Sequence, residues 1–295
     1  MNTRQRGKEE PGLGQLAPDQ LFQSLPEPEP GPELAEPTPE IQAEPGGTQY
    51  GTIFHAAMEH LDFQAYHDQD TAGRDTCLNR LFSSKLESLA QGKFFGFGFY
   101  ELDSIREYLR HQLHQTLQTI LSGPGIPPRP IHSLDCSRAR REATFHSRVP
   151  QPASLSLPAR FQLRNRQLDP GYLTGSIDCL VAVEGRWCII DWKTNRAGTG
   201  LETEISQTMT SNEYPLQALI YQSAVHQWLC TRHNLNWRPL HATAASLSLA
   251  QRIFEDQMGP VWYVFVRYGQ AVISGVSWEE LLEFQQKAEL YASAI

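Results

Sequence analysis

Residues Gly175–Asn195 read GSIDCLVAVEGRWCIIDWKTN. Two apolar, β-rich runs, Cys179 to Val183 and Trp187 to Ile190, flank Glu184-Gly185, a dipeptide suited to a two-residue hairpin loop. If those two residues are the whole loop, Val183 faces Arg186 and, further out, Asp178 faces Asp191. Facing residues hold their Cβ atoms ~4.5–5.5 Å apart. Period-two alternation points Lys193 to the same side as Asp191. Two carboxylates at that spacing repel each other unless a cation or a proton lies between them. Removing Asp191 is therefore expected to relieve repulsion in the metal-free protein. Ile189-Ile190 just before Asp191 marks a buried strand, where an ionised carboxylate is costly unless paired or metal-bound. The pattern favours a metal centre acting on an anion. The alternative is a solvated face on which Lys193 neutralises Asp191.

Gly175-Ser176-Ile177-Asp178 followed by Asp191-Trp192-Lys193 resembles the core motif of the PD-(D/E)xK nucleases. The form is that of the C-terminal nuclease domain of RecB, the helicase–nuclease subunit of exodeoxyribonuclease V. Ile177 stands where the motif has proline, a departure shared with the RecB branch. Other segments resemble the same domain in the same order. GTIFHAAMEHLDF, Gly51 to Phe63, has helical apolar spacing with Thr52 as a possible N-cap. On that pattern alone His55 reads as a hydrogen-bonded core histidine; the resemblance implies a metal ligand instead. ARREATFHSRV, Ala139 to Val149, alternates like a strand. Glu142 sits where RecB-like nucleases often carry an acid, so it is either a third acid near the metal or a surface carboxylate. In the helix Glu213 to Leu229, Gln217 and Tyr221 share a face, and the resemblance implies that this Q-x-x-x-Y pair lines the active site. GPVWYVFVRYG, Gly259 to Gly269, matches the last core strand.

The resemblance runs from Thr48 to the C-terminal region, with Phe63 to Arg138 alike only in helical character. It implies an α/β, restriction-endonuclease-like core: a central mixed β-sheet with a hairpin carrying D…DxK, flanked by helices. It implies a Mg²⁺-dependent deoxyribonuclease of the exodeoxyribonuclease V type, with catalytic Asp178, Asp191 and Lys193. His55, Asp178, Asp191 and the Trp192 carbonyl would hold the metal; Glu142 is a possible addition, and Gln217 and Tyr221 would contact substrate. Mg²⁺ suits such oxygen-rich ligands, and Mn²⁺ is expected to substitute because it accepts a histidine nitrogen. The implied partners are DNA, as single strands or frayed ends, and a separate helicase or a RecB–RecC–RecD-like complex in double-strand break repair and recombination. A stand-alone endonuclease, a docking module for recombination partners and a hydrolase of some other phosphate ester are the alternatives.

Composition bounds these readings. The 295 residues are 40% hydrophobic and 10% aromatic, enough for a packed α/β core. The net charge of −8 is uneven: residues 1–50 hold nine acids against three bases, leaving −2 for the remainder. A local basic surface around Arg138, Arg140, Arg141 and Arg148 is compatible with that balance. Nine of the twenty prolines fall in the same fifty residues. Residues 1–47 are therefore read as a disordered Pro/Glu-rich tail or linker, and 48–295 as the nuclease domain. The five cysteines form no CxxC pair, which argues against zinc ribbons and disulfide frameworks and for a reducing cytoplasm. The four-cysteine pattern of iron–sulfur relatives is missing, so no cluster is expected. No GxxxxGK[ST] stretch occurs, so no ATP site is expected. No secretory signal or membrane span is visible.

The remaining expectations are structural. Thr76–Leu89 and Leu102–Leu121 are expected as helices joined through FFGFGFY, with Ser122–Pro130 breaking the second. Arg196 to Asn212 is expected as a polar loop, mobile or ordered by substrate, and Trp278 to Leu290 as the closing helix.

Overall fold

The computed structural model describes residues 47–81, 102–150, 159–161 and 171–292. The FFGFGFY connection and the Pro/Glu-rich stretch through residue 46 lie outside the described residues. The first helices are α1 (Gly47–His60), α2 (Phe63–His67), α3 (Thr71–Leu81) and α4 (Leu102–Gln118). The hairpin β1 (Ile120–Gly123) and β2 (Ile126–Pro130) follows, then the strands β3 (Ala139–Val149), β4 (Gly171–Val183) and β5 (Arg186–Lys193). Next come α5 (Glu202–Ser211), α6 (Tyr214–Arg232), α7 (Ala244–Gln257), β6 (Met258–Phe265), β7 (Gln270–Ser274) and α8 (Trp278–Ala292).

One mixed sheet in the order β3-β4-β5-β6-β7 organises the fold. Glu184 and Gly185 turn β4 into β5 with φ of 49° and 78°. Positive φ at both loop positions is the two-residue hairpin geometry that matches strand twist. The register follows: Val183 faces Arg186 and Cys179 faces Ile190. β6 runs parallel to β5, which requires a long crossover, and α5 to α7 provide it. All eight residues of β6 are buried, as a central strand covered on both faces demands.

Two apolar clusters sandwich the sheet. One joins Tyr50, Ile53, Phe54, Ala57 and Met58 of α1 and Leu109, Leu113 and Leu117 of α4 to Cys179, Val181, Ile190 and Trp192. The other joins Leu216, Leu219, Ile220 and Val225 of α6 and Leu281 and Phe284 of α8 to Ile177, Leu180, Ile189 and Val261. Each fully buried side chain of this kind contributes ~1.5–3 kcal/mol. The result is a helix–sheet–helix α/β fold of the restriction-endonuclease-like type.

Several local expectations need correction. α1 begins at Gly47, so Thr52 lies inside the helix instead of capping it. Ser122–Pro130 does not merely end a helix. Pro124 and Gly125 (φ 72°) turn β1 back onto β2, and prolines are tolerated there because the pair is a two-stranded edge. The polar stretch after β5 contains α5, which buries Ile205 and Met209 one turn apart. The loop before it is tethered: Ala197 N donates to the Tyr268 hydroxyl at 2.7 Å, and Gln270 Nε2 donates to Gly200 O at 3.2 Å.

Candidate active site

The acidic residues line up across three adjacent strands. The ladder between β3 and β4 pairs Arg141 with Cys179 and Ala143 with Ile177, so Glu142 stands opposite Asp178 in the one position where pairing lapses. Glu142 has φ 47°, the left-handed region that a non-glycine residue occupies only at a cost. Side-chain alternation breaks at the same level, because Ile177 and Leu180, of opposite parity, pack in one cluster. The break lets Asp178 turn towards β5, where its Oδ2 accepts from Trp192 N at 2.8 Å. Beyond it in the row comes Asp191, on the α6 side of β5.

Two helices close on this row from opposite faces. α1 brings His55, whose Nδ1 lies 3.4 Å from Asp178 Oδ1. One turn earlier, a Cβ on Gly51 would sit 2.9 Å from Thr194 Oγ1, so glycine lets the helix approach the end of β5. Arg141 fixes the same helix from β3. Its Nη1 donates to Met58 O and Glu59 O at 2.9 Å each, and its guanidinium lies 4.3 Å from the centre of the Phe63 ring. Those carbonyls end α1 and lack helical partners. Arg141 is therefore spent on joining the elements that carry His55 and Glu142, and does not contribute to a basic surface.

From the other face, α6 presents a stripe at i, i+3 and i+7. Lys193 Nζ lies 2.7 Å from Asp191 Oδ2 and donates to Gln217 Oε1 at 3.2 Å; Gln217 Nε2 donates to the Tyr221 hydroxyl at 2.9 Å. Tyr214, the first of the stripe, places its ring 4.0 Å from Lys193 Nζ and stacks on Tyr263 with centroids 5.1 Å apart. Sequence reasoning missed Tyr214 and Tyr263. Tyr214 was legible as the residue one turn before Gln217 on the same face; Tyr263 becomes a neighbour only through the parallel pairing of Asp191 with it.

The electrostatics separate the two aspartates. Burial works against ionised Asp178, but His55, Lys193 and the Trp192 N–H hold its carboxyl below the usual range. Burial pushes Asp191 up to about 6, with the Asp178 charge adding to it and Lys193 opposing. Burial alone would depress His55, yet the carboxylates of Asp178, Asp191 and Glu142 override it and raise the imidazole to about 9. Burial also works against Lys193, and Asp191 overcomes it, so the amine stays charged.

Ligand atoms of His55, Glu142 and Asp178 all lie within 4.8 Å of one another. One imidazole nitrogen and two carboxylates at that spacing suit a hard or borderline divalent ion. Asp191 is turned to Lys193 in this geometry, so the gathered set holds two of the three side-chain ligands expected from sequence, His55 and Asp178, together with Glu142.

The sequence profile described as the PD-(D/E)XK nuclease superfamily matches residues 31–248. This chain belongs to that superfamily. The match opens at residue 31, within the stretch read as a tail. Superfamily members generally use divalent metal ions, and the His55–Glu142–Asp178 cluster fits one. Among curated proteins, this PD-(D/E)XK nuclease is 32% identical over 127 residues to RecBCD enzyme subunit RecB of Mycolicibacterium smegmatis, covering 37% of this chain and 10% of the relative. It is 24% identical over 252 residues to RecBCD enzyme subunit RecB of Escherichia coli, covering 79% of this chain and 18% of the relative. The chain thus spans less than a fifth of the length of the relatives it matches. Among the described residues no helix is long and apolar enough to cross a membrane.

Proposed function

We propose that this nuclease hydrolyses DNA phosphodiester bonds with Mg²⁺, accepting Mn²⁺, as a RecB-like exonuclease acting in double-strand break repair and recombination. The observation that carries the reading is the gathering of His55, Glu142 and Asp178 from α1 and two strands, beside the Asp191–Lys193 pair of the next strand. Docking alone needs no such clustering of carboxylates, imidazole and ammonium, which disfavours a pure binding module. His55, Glu142 and Asp178 would hold the ion, with Asp191 joining when it leaves Lys193. A bound divalent ion supplies Lewis-acid polarisation of the phosphodiester and eases deprotonation of the attacking water.

The protein groups do the rest. Lys193, charged and pinned between Asp191, Gln217 and the Tyr214 ring, is aimed to orient the attacking water or to stabilise charge on the pentavalent transition state. Gln217 and Tyr221 would hold the strand by its phosphates, contacts that set register without reading sequence. The reading includes a helicase partner, by likeness to RecB, and a reducing cytoplasm suits the five free thiols. Linear duplex, closed circular and single-stranded DNA, each with Mg²⁺ or EDTA, test it. Metal-dependent loss of linear and single-stranded DNA with circles spared supports an exonuclease. Cutting of closed circles would favour the endonuclease alternative, and no cutting of any DNA would contradict the proposal.

A further inference from the structure

A groove of about 320 Å³ lies between β3, β4 and α6, beside the acidic row but outside it. Ile177 and Leu180, the residues bracketing Asp178 and Cys179, line it together with Arg140 and Trp228. Arg140 stands two residues before Glu142 on β3, ~7 Å along the strand. Phe145, also in the lining, meets Tyr221 edge-on with centroids 5.5 Å apart. One wall of the groove thus packs against the Gln217–Tyr221 stripe.

Trp228 carries two cations. The guanidinium of Arg140 lies 5.1 Å from its ring centre and that of Arg232 lies 4.9 Å away. Trp187 packs edge-on against the indole at 5.0 Å and steadies it. Both arginines are exposed. Among the described residues neither has a carboxylate within ion-pair distance, whereas Arg110, Arg129, Arg160 and Arg238 all do. Stacking on an aromatic face orients a guanidinium without neutralising it. Two such charges held at one ring raise the local positive potential, which phosphates of a strand would neutralise with charge-assisted hydrogen bonds.

We propose that Arg140 and Arg232, laid on Trp228, form a phosphodiester-binding subsite for the backbone of a single DNA strand entering the cleavage centre. The occupant is a strand because the groove lies beside the acidic row, and Arg140 in its lining and Arg232 on the same indole carry positive charge that no carboxylate of the described residues neutralises. Its size suits one nucleotide at a time and not a duplex. This inference rests on the nuclease reading above.

The test is fluorescence anisotropy of a labelled single-stranded oligodeoxynucleotide with the full chain in EDTA, from low to moderate NaCl, comparing wild type with Arg140→Gln/Arg232→Gln. Loss of two phosphate contacts should weaken binding about tenfold and flatten the slope of log affinity against log salt by about 1.4, at ~0.7 per contact on single strands. Arg140→Lys/Arg232→Lys, which keeps the charges, should recover most of the slope. Equal affinity and slope in wild type and the Gln variant would overturn the subsite, as would a wild type that does not bind the oligonucleotide. A separate cleavage assay of wild type in Mg²⁺ distinguishes the two failures. Cleavage with unchanged binding in the variant removes the subsite alone. Arginine-dependent binding without cleavage removes the nuclease reading of the acidic centre.

Discussion

Asp191 and Lys193 keep only 4% and 12% of their side-chain surface exposed while lying 2.7 Å apart. The sequence expectation counted only the repulsion from Asp178, which the structure retains; the Lys193 contact adds an opposing and larger cost. Without Asp191 a buried ammonium loses its partner, a loss worth ~3–5 kcal/mol, whereas replacing both ions with apolar groups is close to neutral. Asp191→Ala is therefore expected to destabilise the metal-free protein by about 3 kcal/mol, with Asp191→Ala/Lys193→Met recovering most of it in urea unfolding with EDTA. A single variant as stable as wild type would show that the pair is not buried as described. His55 gives a second prediction. Its imidazole, raised to about 9 by the surrounding carboxylates, is protonated at neutral pH, and a metal ion must displace that proton to use its nitrogen. Apparent metal affinity should rise with pH up to about 9. Titration calorimetry in buffers of different ionisation enthalpy should detect about one proton released per ion at pH 7. In the metal-free protein the sign is opposite: the His55–Asp178 pair stabilises fully below the unfolded histidine value and fades as pH rises through about 9. Proton uptake or no exchange on metal binding would remove His55 from the ligand set.

The hairpin of β4 and β5 was legible because its two-residue turn, alternation and charge placement agree, and the ladder has the register they imply. What lay hidden depends on contacts distant in sequence or on a broken pattern. Glu142 joins His55 and Asp178 only because the strand reverses its φ there. α5 was concealed by polar composition, its apolar content resting on Ile205 and Met209. The β1–β2 hairpin was masked by prolines that usually punctuate strands. α6 also carries a feature that sequence showed only as one histidine among ten. His226 is fully buried; its Nε2 donates to Ala250 O at 3.1 Å, and its Nδ1 accepts from Gln285 Nε2 at 3.3 Å. Both nitrogens are satisfied in the neutral ring, and burial lowers the imidazole to about 4. The unfolded chain binds this proton first as pH falls, so stability is full above about 6.5 and declines towards pH 4, by up to ~3 kcal/mol. Urea unfolding of wild type and His226→Gln across pH 7 to 4.5 checks this. The variant should lose much of the pH slope, and an unchanged slope would place the titration elsewhere.

At the scale of the molecule, the two helical layers meet the sheet so that α1 and α6 reach the same row of acids from opposite faces. On the proposed reading, α1 supplies a metal ligand and α6 the substrate contacts, so losing either layer would cost the centre one of them. Beyond residue 50 the chain carries a net −2, a balance that favours weak DNA binding, and affinity built from phosphate contacts falls steeply with salt. Alone, the protein is expected to cut slowly and distributively without ATP. A labelled long duplex challenged with excess unlabelled DNA tests this: complete degradation of the bound molecules with no motor present would contradict it. The most direct measurement is cleavage of an end-labelled single-stranded oligodeoxynucleotide by wild type and by Asp178→Asn, with Mg²⁺ or with EDTA. Product is expected from wild type in Mg²⁺, with none in EDTA and a loss of ~10³-fold or more in the variant, the scale expected when a principal source of transition-state charge stabilisation is removed. Cleavage that survives EDTA, or that Asp178→Asn performs as well as wild type, would contradict a metal-dependent centre at the Glu142–Asp178–Asp191 row.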